Sequence, residues 1–151
     1  MKTSVGGCIF NFTKYVLFLF TITVLSCTST SLIRLEGNDF EKNLPGLWEG
    51  KWVWKGDGGM TRSGKTGIKI IKIDGNKVNL TGYSETVRGS LVDVINGHIE
   101  NSTLLLTWPA AGESECEDIL IMQRDDSNSL ILEGPSECPK YTLKVQYKKI
   151  E

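Results

Sequence analysis

Alternation with a period of two governs this chain from residue 46 to its end. Tyr141, Leu143, Val145 and Tyr147 are set against Thr142, Lys144, Gln146 and Lys148. Such a run reads as a half-buried strand, because successive side chains of an extended backbone point to opposite faces. Trp48, Gly50, Trp52 and Trp54 likewise share one face of an earlier run, with Glu49, Lys51 and Lys55 on the other. Strands are predicted at about 67–73 and 77–84, joined at Asp74-Gly75-Asn76. Another at about 87–95 turns at Asn96-Gly97, the strongest two-residue hairpin signal here, into a strand starting at His98. That strand continues through 102–108, with Leu104, Leu106 and Trp108 on one side, until Pro109 stops it. Runs at 117–124 and 130–134 flank a polar turn at Asp125 to Ser129. No helix-period segment of useful length follows residue 46. The pattern predicts an all-β fold: an antiparallel up-and-down β-barrel of about eight strands with hairpin-length connections.

The first residues stand apart from this pattern. Lys2 and Lys14 precede a mostly apolar run from Tyr15 to Leu25, about eleven residues. That is shorter than the roughly twenty that span a bilayer core, so the segment reads as an export signal. It ends in Val24-Leu25-Ser26-Cys27, which resembles the lipobox of bacterial lipoproteins, although Leu25 stands where a small residue is usual. The resemblance implies lipidation of Cys27 and a protein of the bacterial cell envelope, anchored to the membrane and facing the periplasm or the exterior. The expected organisation is a signal peptide over 1–26, a lipidated Cys and polar tether over 27–37, and a barrel domain over 38–151.

Cleavage before Cys27 removes Lys2 and Lys14 and leaves 15 basic against 18 acidic residues. This argues against a nucleic-acid partner, whose binders carry a basic stripe. Lys51, Lys55, Arg62, Lys65, Lys69 and Lys72 do cluster, but at positions expected to be solvated. With Cys8 in the signal and Cys27 lipidated, Cys116 and Cys138 remain, and in an exported compartment they are expected to form a disulfide. In a meander the strands starting near 117 and 140 begin at the same rim, so the bridge is expected there. Two thiols and the distant His98 are too few for a closed zinc site.

Gly59-Met60-Thr61-Arg62-Ser63-Gly64-Lys65-Thr66 matches the phosphate-binding P-loop letter for letter. That chemistry requires a helix after the loop, whose N-terminal N–H groups hold the phosphates. The sequence that follows is rich in β-branched Ile and reaches the turn at Asp74-Gly75-Asn76 within a few residues, so it reads as a strand. No nucleotide is expected. The stretch 56–66 is read as a flexible hairpin loop, with Gly56, Gly58, Gly59 and Gly64 supplying positive φ.

Residues 38–48, from Asn38 to Gly46-Leu47-Trp48, resemble the start of lipocalins and related calycins. There a short helical turn leads into Gly-x-Trp on the first strand. The resemblance implies that Trp48 closes the barrel floor against a basic side chain from the last strand, for which Lys144, Lys148 and Lys149 are candidates. No Thr-Asp-Tyr motif, no Arg after Arg124 and no C-terminal helix accompany it. The shorter avidin-like and lysozyme-inhibitor-like barrels fit the pattern equally.

Trp52, Trp54 and Trp108 are the candidate ligand-binding residues, able to stack on an apolar molecule or a sugar ring. Core filling is the plainer account, since strand-face alternation explains all of them without a ligand, and Trp54, nearest the glycine-rich loop, is the exception expected to reach one. No catalytic residue, metal or cofactor is assigned: His98 reads as a turn residue, and Glu113, Glu115, Glu117 and Asp118 read as a solvated acidic cluster. Asp125 to Asn128 lacks a spaced calcium ligand set and reads as a turn. Two functions stay open: a binding barrel for a small apolar or sugar-like ligand, or an envelope protein-interaction or inhibitor lipoprotein working through a rim loop with Arg62 and Lys65. A cavity well above about 300 Å³ favours the first and a solid core the second.

Overall fold

The computed structural model describes residues 31–86, 88–110 and 114–151. The expected signal segment and Cys27 lie outside the described residues. In chain order the elements are β1 (Ile33–Arg34), α1 (Gly37–Asn43), β2 (Gly46–Lys55), β3 (Thr61–Asp74), β4 (Lys77–Glu85), β5 (Leu91–Asp93), β6 (Asn96–Glu100), β7 (Thr103–Pro109), β8 (Glu115–Arg124), β9 (Leu130–Cys138) and β10 (Tyr141–Lys149). Eight strands close an antiparallel barrel in the order β2-β3-β4-β6-β7-β8-β9-β10, with β10 returning to β2. The other two extend existing ladders: β5 pairs with the end of β4, and β1 with the end of β8. Closure leaves no long free edge, so the backbone donors of an open sheet are satisfied.

The turn at Gly75 and Asn76 joins β3 to β4 as the sequence predicts, but four boundaries differ. Of the strand expected at about 87–95, only Leu91–Asp93 is strand among the described residues, and it lies beside β4 outside the closed barrel. Asn96 and Gly97 lie inside β6, where the place of a glycine Cβ is taken by Leu80 Cδ2. The hairpin falls instead at Asn101-Ser102, both with positive φ (48° and 57°), which lets Ile99 face Leu104 across β6 and β7. The expected strand from 98 to 108 is therefore two strands.

The P-loop-like stretch is also strand. β3 begins at Thr61, and the ladder with β2 runs unbroken from Lys55 opposite Thr61, through Gly50 opposite Thr66, to Gly46 opposite Ile70. Only Gly56 to Met60 remains as loop, closed by Gly56 N donating to Met60 O at 2.9 Å. Of the four glycines named for it, Gly58 and Gly59 take positive φ (73° and 81°) and Gly56 and Gly64 do not. Gly64 serves a different purpose: the Trp52 indole lies across it, and a Cβ there would stand 2.4 Å from the ring. A cross-strand aromatic covering a glycine stabilises the pair.

β9 runs on to Cys138 instead of stopping near 134. Its ladder with β8 keeps one register but is interrupted between Asp118–Ser136 and Ile121–Glu133, across Gly134 and Pro135. Proline brings no N–H to a ladder, and a Cβ on Gly134 would fall 1.8 Å from Ile119 O. Beyond the break, Cys116 on β8 and Cys138 on β9 are joined by a disulfide with Cα atoms 4.3 Å apart. It clamps neighbouring antiparallel strands at one rim. Reduction is expected to lower the unfolding free energy by about 3 kcal/mol, the entropy of a closed loop of this size, read as a lower urea midpoint.

The opposite end is closed. Phe40 of α1, Leu44 and Trp48 are fully buried there. Trp48 Nε1 donates to Leu44 O at 2.8 Å. Lys149, of the three candidate lysines, lies over the ring at 5.6 Å from its centroid and donates to Asn43 O at 2.7 Å. Burial holds its ammonium below the usual lysine range. The chain reaches this same end from Ser31, whose N and Oγ donate to the Asp126 carboxylate at 3.0 and 2.6 Å. Residues 33–35, expected within the tether, are part of the fold: β1 pairs with β8, and Leu35 is buried.

Candidate functional site

The alternation that builds β8 carries one ionisable group inward. Cys116, Asp118, Leu120 and Met122 face the barrel interior, while Glu115 and Glu117 are exposed. The expectation of a solvated cluster is thus corrected at Asp118, which is only 3% exposed; Glu113 lies outside the described residues.

Trp108 Nε1 and Tyr147 Oη both donate to Asp118 Oδ2, at 2.9 and 3.2 Å. The Ser136 hydroxyl adds a third stabilising hydrogen bond. Tyr147, fully buried, also lies 3.0 Å from Thr66 Oγ1, whose single proton is shared between the phenol oxygen and Tyr83 O, each 3.0 Å away. Burial pushes the Asp118 carboxyl up to about 6, and the three hydrogen bonds oppose but do not cancel it. The Tyr147 phenol is raised well above its usual range, by burial first and then by the Asp118 charge.

This network lines a cavity of about 230 Å³ at the disulfide end of the barrel. Trp52, Trp108, Tyr141, Val92, Leu143 and Val145 contribute its aromatic and apolar lining. Thr66, Asp118, Ser136 and Tyr147 give it polar groups; Glu85, Thr86, Arg88 and Ser90 come from the end of β4 and the connection to β5. The volume meets neither sequence criterion: the interior is not solid, and the space lies below about 300 Å³.

Of the three candidate tryptophans, the fold brings two together. Trp52 and Trp108 line the cavity, and Trp52 Nε1 is fixed by a 2.6 Å hydrogen bond to Glu85 O. Trp54 is not among the lining residues; its ring lies against Gly56 at the base of the β2–β3 loop. His98 sits in β6 opposite Lys77 and Leu105, in a strand and not in a turn. Asp125 Oδ1 accepts from Ser127 N, Ser127 Oγ and Ser129 N, which makes it the organiser of the β8–β9 turn. Among the described residues no three His, Cys, Asp or Glu side chains gather as metal ligands.

No family model, curated protein or solved structure matches this chain. The site is therefore read from its own geometry. The residue that sequence reasoning missed, Asp118, did carry a signal: it is in phase with Leu120 and Met122 in the run 117–124. A carboxylate on the apolar face of a strand is worth more notice than the acidic residues beside it in sequence.

Proposed function

We propose that this chain is an exported, lipid-anchored binding protein of the bacterial cell envelope, a calycin-like barrel that holds one compact molecule in its open end. The observation that carries the reading is the cavity of about 230 Å³, with aromatic walls and a buried carboxylate. Pockets of this make-up, apolar with a few convergent polar groups, are where small ligands bind. The contact of Lys149 with Trp48 supports the calycin likeness. The anchor fits the geometry too. Cys27 precedes Ser31 by four residues, a reach of at most about 14 Å, and Ser31 is bound at the closed end. A lipid on Cys27 would hold the closed end to the bilayer and leave the mouth facing away.

Native mass spectrometry of the protein purified from its own envelope tests the reading. A small molecule is expected to be retained, and Leu143→Trp, which fills the cavity from β10, is expected to release it while the far-ultraviolet spectrum stays that of a β-barrel. A preparation without any retained molecule, with a protein co-purifying instead, would favour action through the rim. That second reading has its own observation: Met60 at the end of the β2–β3 loop and Leu91 at the start of β5 are large apolar residues exposed by 60% and 66%.

A further inference from the structure

Resting on the reading that the barrel mouth holds a small molecule, we propose that this molecule is a compact organic cation, an amine or quaternary ammonium of a few carbons, bound with its charged end against the Asp118 carboxylate.

The argument starts from charge. Asp118 is almost wholly buried, and its three protein donors are an indole N–H, a phenol O–H and a serine hydroxyl, all neutral. No Lys or Arg stands within ion-pair distance of it among the described residues. Neutral donors stabilise a carboxylate without cancelling its charge, and an uncompensated charge in a low-dielectric interior is costly. Three donors also leave room, because a carboxylate offers about four acceptor positions. A cation entering the cavity supplies the missing charge, and a protonated amine also supplies a donor for the remaining position.

The rest of the lining agrees. Trp52, Trp108 and Tyr141 provide aromatic surface, of the kind that recognises quaternary ammonium groups. An anionic ligand would meet Asp118 and Glu85 together. A purely apolar one would bury Asp118 with its charge still unmatched, and a neutral sugar would satisfy hydrogen bonds but not charge. The ionisable groups facing Asp118 across the cavity are Tyr147 and Tyr141 from β10, Glu85 from β4 and Arg88 from the β4–β5 connection. Arg88 is the one cation in the lining, and it enters from the rim.

The experiment uses the protein as its host processes it, with calorimetric titration of choline against its neutral isostere 3,3-dimethylbutan-1-ol, and of butylamine against butan-1-ol. At pH 7.5 each cation is expected to bind at least tenfold more tightly than its alcohol. Burial pushes the Asp118 carboxyl up to about 6, so affinity for the cations should fall roughly tenfold at pH 5, where only about a tenth of the carboxyl is ionised. Asp118→Asn should remove both the preference and the pH dependence. Arg88→Ala, which leaves the buried network intact, should tighten cation binding several-fold. Alcohols binding as well as amines, or affinity rising as pH falls, would overturn the proposal. Failure of all four probes while a molecule is still retained in native mass spectrometry would sink the cation and leave the binding barrel standing. Failure of all four with nothing retained would sink both.

Discussion

Trp48→Ala is expected to lower the stability of the barrel by about 4 kcal/mol, within the range that truncation of a fully buried Trp produces. The size follows from what the ring does at the closed end. It fills the space beneath Phe40 and Leu44, its N–H satisfies Leu44 O, and its face carries the Lys149 ammonium. Removing it leaves a void, an unpaired carbonyl and a half-buried cation without its aromatic support. Lys149→Met separates these contributions. It keeps the apolar stem and loses only the ring contact and the hydrogen bond to Asn43 O, a loss of about 1–2 kcal/mol. Urea unfolding followed by circular dichroism measures both. A Trp48→Ala loss below about 1 kcal/mol would mean that α1 closes the floor without this side chain.

How much of this arrangement was legible depends on whether the information is local. Strand faces are local, because a period of two places Trp48 and Trp52, or Val145 and Tyr147, on one side whatever the partner strand is. The barrel class followed from that alone, and so did the placement of both cysteines at one rim; the count of eight holds because the expected strand at 87–95 is only the accessory β5 while the expected strand at 98–108 is both β6 and β7. Turns were less legible. Asn96-Gly97 has the better hairpin composition, yet the turn falls at Asn101-Ser102, since Gly97 is needed where Leu80 and Leu106 crowd β6. Only the neighbouring side chains decide that, and they come from other parts of the chain. The loop at 56–66 was misread for a related reason: Gly64 looks like a turn residue in sequence but is a site of close approach beneath Trp52. Asp118 was read through its acidic neighbours, when its phase within β8 was the stronger guide. Trp54 has the right phase too and stands level with Leu143, which lines the cavity, but its ring lies against Gly56, and that choice of neighbour is not written in alternation.

Asp118 also sets an unusual dependence of stability on pH. Its carboxyl is raised from 3.8 to about 6 in the fold, so between those values the folded protein binds more protons than the unfolded chain. Stability must then fall as pH rises through this window, and remain lower above it. At 1.36 kcal/mol for each pH unit the decline is about 3 kcal/mol. Asp125, whose hydrogen bonds in the β8–β9 turn hold its carboxyl low, works in the opposite sense: the stability it adds is lost as pH falls. Comparison with Asp118→Asn isolates the buried group, because asparagine keeps an oxygen for Trp108 and Tyr147 but does not titrate. The variant is expected to gain on the natural chain as pH rises from about 4, reaching an advantage of about 3 kcal/mol near pH 7. Unfolding curves that stay parallel over that range would show that the folded carboxyl titrates like an exposed one. The size of the penalty bears on why such a residue is kept inside a barrel. A ligand at one hundred times its dissociation constant stabilises the state that binds it by about 2.7 kcal/mol. A cation against Asp118 would therefore offset nearly all of what the ionised carboxylate costs, and filling the cavity at neutral pH would bring the chain close to the stability it has with that carboxyl protonated.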